Sequence, residues 1–188
     1  MNTTTAAETS TTQTITFATA VPTEIADTLD LGHVEENKPR PNYIGYWRSS
    51  EIGGGSPHHR MLEQARVGAG GKSSFTINGI PAAEYYAGVI DRYEQECAAW
   101  DTLPWPGDYI DPSMPEHERE RVAVLLDAAP IVAGYCGSSS DRLGGDDPRS
   151  TGSQERALAG WCWPSGLSYY VRTYGLRLDP VFIEAISR

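Results

Sequence analysis

A chain of 188 residues, 39% hydrophobic, with five Trp and ten Tyr, has room for one domain and one modest core with large aromatic anchors. Its net charge of −10, with no basic stripe, argues against direct nucleic-acid binding, because phosphate contacts supply most of that affinity. No run approaches the roughly 18 apolar residues of a membrane-spanning helix. The start "MNTTTAAETSTTQT" lacks a secretory signal's basic and apolar regions, and three cysteines make no disulfide framework; a cytoplasmic chain with reduced thiols is expected.

Residues 1–40 read as a flexible, Thr-rich acidic tail, in which "QTITFATA" could supply one strand. "VEENKPRPN" (34–42) reads as a polar linker, since Pro39 and Pro41 disfavour helix in the residue before each. The globular domain is expected over 41–188. "YIGYWRSS" (43–50) suits an edge strand or an aromatic anchor. Pro57 opens a short helix that stops at Gly68. "KSSFTING" alternates at Ser73, Phe75 and Ile77 and turns at Asn78-Gly79, as a strand or half of a hairpin would. The clearest helix runs from about Pro81 to Trp100. Tyr86, Val89, Ile90, Tyr93, Cys97 and Trp100 follow 3.6-residue spacing and predict a buried aromatic face, with Glu84 and Asp91 opposite.

A second helix follows "LPWPGDYIDP". Ser113 and Glu116 fit a capping box, Pro115 suits the first turn, and Val122, Leu125, Leu126 and Ala129 make the apolar stripe. Pro130 ends it, and "IVAGY" predicts a short buried strand. The polar run "AGYCGSSSDRLGGDDPRSTGS" (133–153) then reads as a lengthened surface loop, and "AGWCWP" as a compact aromatic segment. "PSGLSYYVRTYG" predicts a third helix with Ser165 as N-cap, Gly175 as stop, and Leu167, Tyr170, Val171 and Tyr174 as its stripe. A short last helix is capped by Asp179 with Pro180 behind it. The expected fold is α+β: a single, mainly helical domain with a few short strands.

Each chemical motif lacks a companion. "GAGGKSS" (68–74) has Arg66 where a phosphate loop needs its first glycine, so a turn is the better account. His58 and His59 are adjacent, whereas paired metal ligands sit three or four residues apart on a helix; His33 and His117 stand in polar contexts. Cys136, beside small residues, would need a base to act as a nucleophile. A structural cysteine at the end of a strand is its default role. Asp141, Asp146 and Asp147 could touch a cation but lack calcium-loop spacing. Trp161, Trp163, Tyr169 and Tyr170 are read as core anchors before any stacking surface. No cofactor and no metal are expected.

Gly45-Tyr46-Trp47, Asp111-Pro112, Glu120-Arg121, Trp161-Cys162-Trp163-Pro164, Gly166-Leu167, Tyr170-Val171, Leu178 and Phe182 together resemble a group of uncharacterised bacterial proteins. That group has an early "GYW" motif and a C-terminal "WPxGLxHYV"-type signature. The resemblance covers about 104–186 plus 45–47 and implies no activity. It does imply a Cys/His zinc set in relatives, at the positions of Asp141, Gly144, Tyr169 and Tyr174. This chain has none of those four ligands, so the resemblance implies a site lost as a unit.

Seven acids against one base lie between Glu84 and Asp111. The expected role is a non-enzymatic protein-binding or accessory module, with an acidic inhibitor of a basic, nucleic-acid-handling defence complex as its concrete version. The candidate contact residues are Glu84, Asp91, Glu94, Glu96, Asp101 and Asp108, together with Asp141, Arg142, Asp146 and Asp147 in the loop. One alternative is a small enzyme with a site around 133–163, drawing on Cys136, Asp141, Arg142 or Trp163. Another is a structural protein without a ligand.

Overall fold

The computed structural model describes residues 16–29, 40–48, 57–70, 76–135, 139–144 and 151–188, with residues 57–60 described in their backbone alone. Among these, helices dominate and short strands form two small sheets, the mixed α+β fold expected.

The chain packs from earlier than residue 41. Helix α1 (Thr23–Thr28) buries Ala26, and fully buried Ala18 bridges Leu178. The Ala18 backbone accepts from the Asp179 N–H and donates to the Arg177 carbonyl, both at 3.0 Å. Residues 16–29 are therefore not a free tail. Small alanine side chains let main chain lie directly on the core, and low hydropathy concealed that contact.

Strand β1 (Asn42–Tyr43) lies at an edge of the main sheet but takes in only the first residue of the aromatic run, whose Ile44, Tyr46 and Trp47 are buried outside any strand, as anchors. Helix α2 (Pro57–Gly70) runs two residues past Gly68. Strands β2 (Thr76–Ile77) and β3 (Ile80–Pro81) make the hairpin whose turn is Asn78-Gly79, both residues at positive φ. Helix α3 (Ala82–Thr102) corrects the expected buried face: only Ala82, Cys97 and Ala99 are buried, while Tyr86, Val89, Ile90, Tyr93 and Trp100 are half-buried. Along most of its length α3 packs on α2, a single helix too narrow to cover the whole stripe. No described helix is long and apolar enough to cross a membrane.

Helix α4 (Glu116–Ala128) starts without the capping box. Ser113 donates both its hydroxyl and its N–H to the Asp111 carboxylate, at 2.5 and 2.9 Å. The acceptor two residues upstream closes an Asx turn and takes the hydroxyl from the helix. Strand β4 (Ile131–Gly134) forms, but it is exposed rather than buried because it lies at a sheet edge. Strand β5 (Gln154–Leu158) falls at the end of the polar run and has no counterpart in the sequence reading. Strand β6 (Trp161–Pro164) is the aromatic segment. Helix α5 (Leu167–Tyr174) begins after Gly166, without a Ser165 cap. It ends at Gly175 in the left-handed conformation, as expected, and a Cβ there would lie 2.5 Å from the Asp111 carbonyl oxygen. Helix α6 (Pro180–Ile186) has the expected cap, with the Val181 N–H donating to Asp179 at 2.8 Å.

The main sheet runs β1-β6-β5-β4, with β1 parallel to β6 and the other pairs antiparallel. Side chains alternate along a strand, so β6 separates two cores. Trp161 and Trp163 point to one, with Leu126, Leu167, Tyr170, Val171 and Phe182. Cys162 points to the other, with Val21, Ala26, Tyr43, Tyr46 and Leu103. Phe182 is wedged between the two tryptophans at ring distances of 5.0 and 5.2 Å.

Candidate functional site

Three groups of residues carry the chemistry of the described chain. The first is the outer face of α3. Glu84 and Asp91 lie seven residues apart, which places them together on the outer side of the helix; Glu94 and Asp101, also seven apart, lie about 80° round toward α2. All four are exposed, as is Asp108 in the 3-10 turn Pro106–Tyr109. Glu94 binds Arg66 of α2 at 2.9 Å, so it ties the two helices together. Glu96 is half-buried beside Arg92 at 3.6 Å, and that guanidinium also sits over the Tyr93 ring. The expected acidic surface therefore divides: Glu84, Asp91 and Asp108 face outward without a described ion pair, while Glu94 and Glu96 are committed within the fold.

The second group joins the polar loop to α5. The Asp141 carboxylate accepts the Tyr169 hydroxyl at 3.1 Å, the Tyr174 hydroxyl and the Leu143 N–H at 2.9 Å. The Tyr170 hydroxyl accepts the Arg142 N–H at 2.7 Å. Burial, with the Asp141 charge adding to it, pushes the Tyr170 phenol up to about 12, and Tyr174 is raised by burial and its bond to Asp141. Both phenols stay protonated at neutral pH. Asp141 is thus not an available contact residue. Its oxygens are used to hold the loop onto the helix, and Arg142 is half-buried beside it. Three of the four positions implied as zinc ligands in relatives meet here; at Gly144 an added Cβ would touch nothing within 4 Å. Asp146, Asp147 and Cys136 lie outside the described residues.

The third group is absent from the sequence reading. Glu155 of β5 is 5% exposed. The Tyr46 hydroxyl donates to it at 2.5 Å, the Cys162 thiol at 3.8 Å, and the Tyr135 hydroxyl bonds to it as well. No described cation pairs with it. Burial, then the Glu155 carboxyl, pushes the Cys162 thiol up to about 12 and raises Tyr46 and Tyr135 above the usual phenol range. The donors therefore keep their protons, and each can satisfy a buried acceptor whose desolvation would otherwise be costly. A thiol held protonated is not a nucleophile. Only Tyr135, half-exposed, carries this network to the surface.

The trace of this cluster in the sequence was slight. "QERAL" followed by Ala159-Gly160 and "WCWP" has the form of two strands around a two-residue turn. Of the 45–47 motif only Tyr46 reaches this cluster; Gly45 packs against Leu167 and Trp47 edge-on to Tyr170, both in the main core, and the Ile44 N–H donates to the Cys162 carbonyl at 3.1 Å. Among the described residues no three His, Cys, Asp or Glu side chains are grouped to hold a metal ion.

No protein-family model matches the chain, no curated protein sequence matches it, and no solved structure matches it. The resemblance to the bacterial group rests on the residues quoted for it.

Proposed function

We propose that the chain is a non-enzymatic, cytoplasmic protein-binding module of the bacterial group it resembles. Its acidic α3 face recognises a basic partner, as an inhibitor seated on a nucleic-acid-handling protein would. The observation that carries this reading is the placement of Glu84 and Asp91. They are exposed, lack a described ion pair, and stand on a helix mostly outside both cores, where a partner can reach them. Charges so placed speed and select encounter with a complementary surface, and salt screens them.

The test is capture of partners by the full chain at low and high salt, beside a Glu84→Lys/Asp91→Lys variant. A partner held at low salt, released at high salt and lost by the variant supports the proposal. One held equally under all these conditions overturns it. Glu94 is a poor choice for charge reversal, because it is already paired with Arg66 and a lysine there would set two like charges together.

The enzyme alternative around 133–163 gains the Glu155 cluster. Against it, Trp163 is fully buried in the main core, Asp141 is occupied by two tyrosines, and the Cys162 thiol keeps its proton.

A further inference from the structure

The two edges of the main sheet are treated differently. At β1 the Val21 N–H donates to the Tyr43 carbonyl at 2.6 Å, so the segment before α1 covers that edge. At the other edge β4 bonds to β5 on one side, and no described strand pairs with its far side. Ile131, Val132 and Tyr135 are each about half-exposed there, at 51, 54 and 50%.

A sheet edge left open is commonly guarded by a charged side chain. Here residues 128–140, "AAPIVAGYCGSSS", contain no Asp, Glu, Lys, Arg or His, in a chain of net charge −10. Two copies of so acidic a chain repel over most of their surface and approach most readily where charge is missing. From these observations we propose that β4 pairs antiparallel with β4 of a second copy, joining two four-stranded sheets into one across a two-fold axis.

An antiparallel pairing of a strand with itself is self-complementary, as a closed dimer requires. The register shift between Ile131 and Ala133 turns Ile131 to the opposite face from Tyr135, so the pairing is confined to the Ala133–Tyr135 end of the strand. The Tyr135 N–H points to Ser153 on the β5 side at 2.7 Å. By alternation the neighbouring Gly134 N–H points outward, toward the second copy. Pro130 and the register shift between Ile131 and Ala133 keep the pairing short. The dimer is therefore weak and concentration-dependent, with dissociation in the micromolar range or above.

Sedimentation equilibrium of the full chain from about 1 µM to about 1 mM brackets that range. Reversible dimer formation is expected, weakened at least tenfold in Val132→Lys, which places a charge on the open edge at an exposed position. Circular dichroism at low concentration shows whether that variant is folded. Hydrogen exchange of the unaltered chain gives a second reading that needs no variant: protection of the Gly134 N–H rises with concentration. A chain that stays monomeric throughout overturns the proposal. So does a dimer whose formation leaves Gly134 exchange unchanged, or one that folded Val132→Lys forms as readily.

Discussion

The body around β6 and the α2–α3 pair both present apolar residues at regular spacing, yet they bury them to different depths. The main core draws on β1 and its flank, β6, α4, α5 and α6, and contains no residue of α2 or α3. The helix pair touches the smaller core through Trp100 and Leu103, at and just beyond the end of α3. Elsewhere Met61, Val67, Ile80 and Tyr85 stand exposed. Spacing alone does not bury a stripe. The stripe needs facing area, and α5 shares one core with α4, α6 and β6, where α3 packs mainly on α2 with lighter contact to α1 and the hairpin. Acids can accumulate on α3 because little there has to be desolvated.

The widest separation between the two regions is expected from paired truncations. Phe182→Ala removes a fully buried ring between two tryptophans and should cost about 3–5 kcal/mol in chemical denaturation. Val67→Ala, on an exposed side of α2, should change stability by less than about 0.5 kcal/mol. Comparable losses from both would mean that the helix pair shares the body's core after all.

A smaller effect of opposite sign is expected inside the body. Ala159 has φ +51° in the turn joining β5 to β6, a left-handed conformation that a Cβ disfavours. Its side chain is exposed. Ala159→Gly should stabilise the chain by about 0.5–1 kcal/mol, read as a raised Tm. A lower Tm would show that the turn is not held in this conformation in solution.

What the sequence disclosed follows the same division. Helices α4, α5 and α6 were legible because most of their apolar residues reach one core, and because Gly175 and Asp179 act at their ends through purely local chemistry. The hairpin at Asn78-Gly79 was legible for the same reason. Strand β5 was not. "QERAL" shows no apolar alternation, because its inward residue is Glu155, made tolerable by a tyrosine 109 positions away. Nor did sequence show that Asp141 belongs to α5, since its partners are 28 and 33 residues on. The acidic character of α3 was plain; that Glu94 and Glu96 are committed to arginines depends on how α2 lies and how Arg92 turns. A capping signal was present at Ser113 and lost to a nearer acceptor.

The last test contrasts ion pairs. In the body, hydrogen bonds from Ser113 and then from Arg177 hold the Asp111 carboxyl down at about 2. Its side chain and that of Arg177 are about four-fifths covered, whereas Arg66 and Glu94, between α2 and α3, are about half-exposed. A carboxyl whose folded pKa is depressed contributes stability that is fully present above its unfolded value, near 3.8, and lost as pH falls through its folded value. The stability gap between the native chain and Asp111→Asn should therefore be constant above about pH 5 and close progressively toward pH 2. Arg66→Ala should cost no more than about 1 kcal/mol at neutral pH and less in high salt, because exposed pairs are screened. Urea denaturation across a pH series measures both. A gap for Asp111→Asn that persists unchanged to pH 2 would show that the carboxylate's charge is not what fastens this turn to the segment at Arg177.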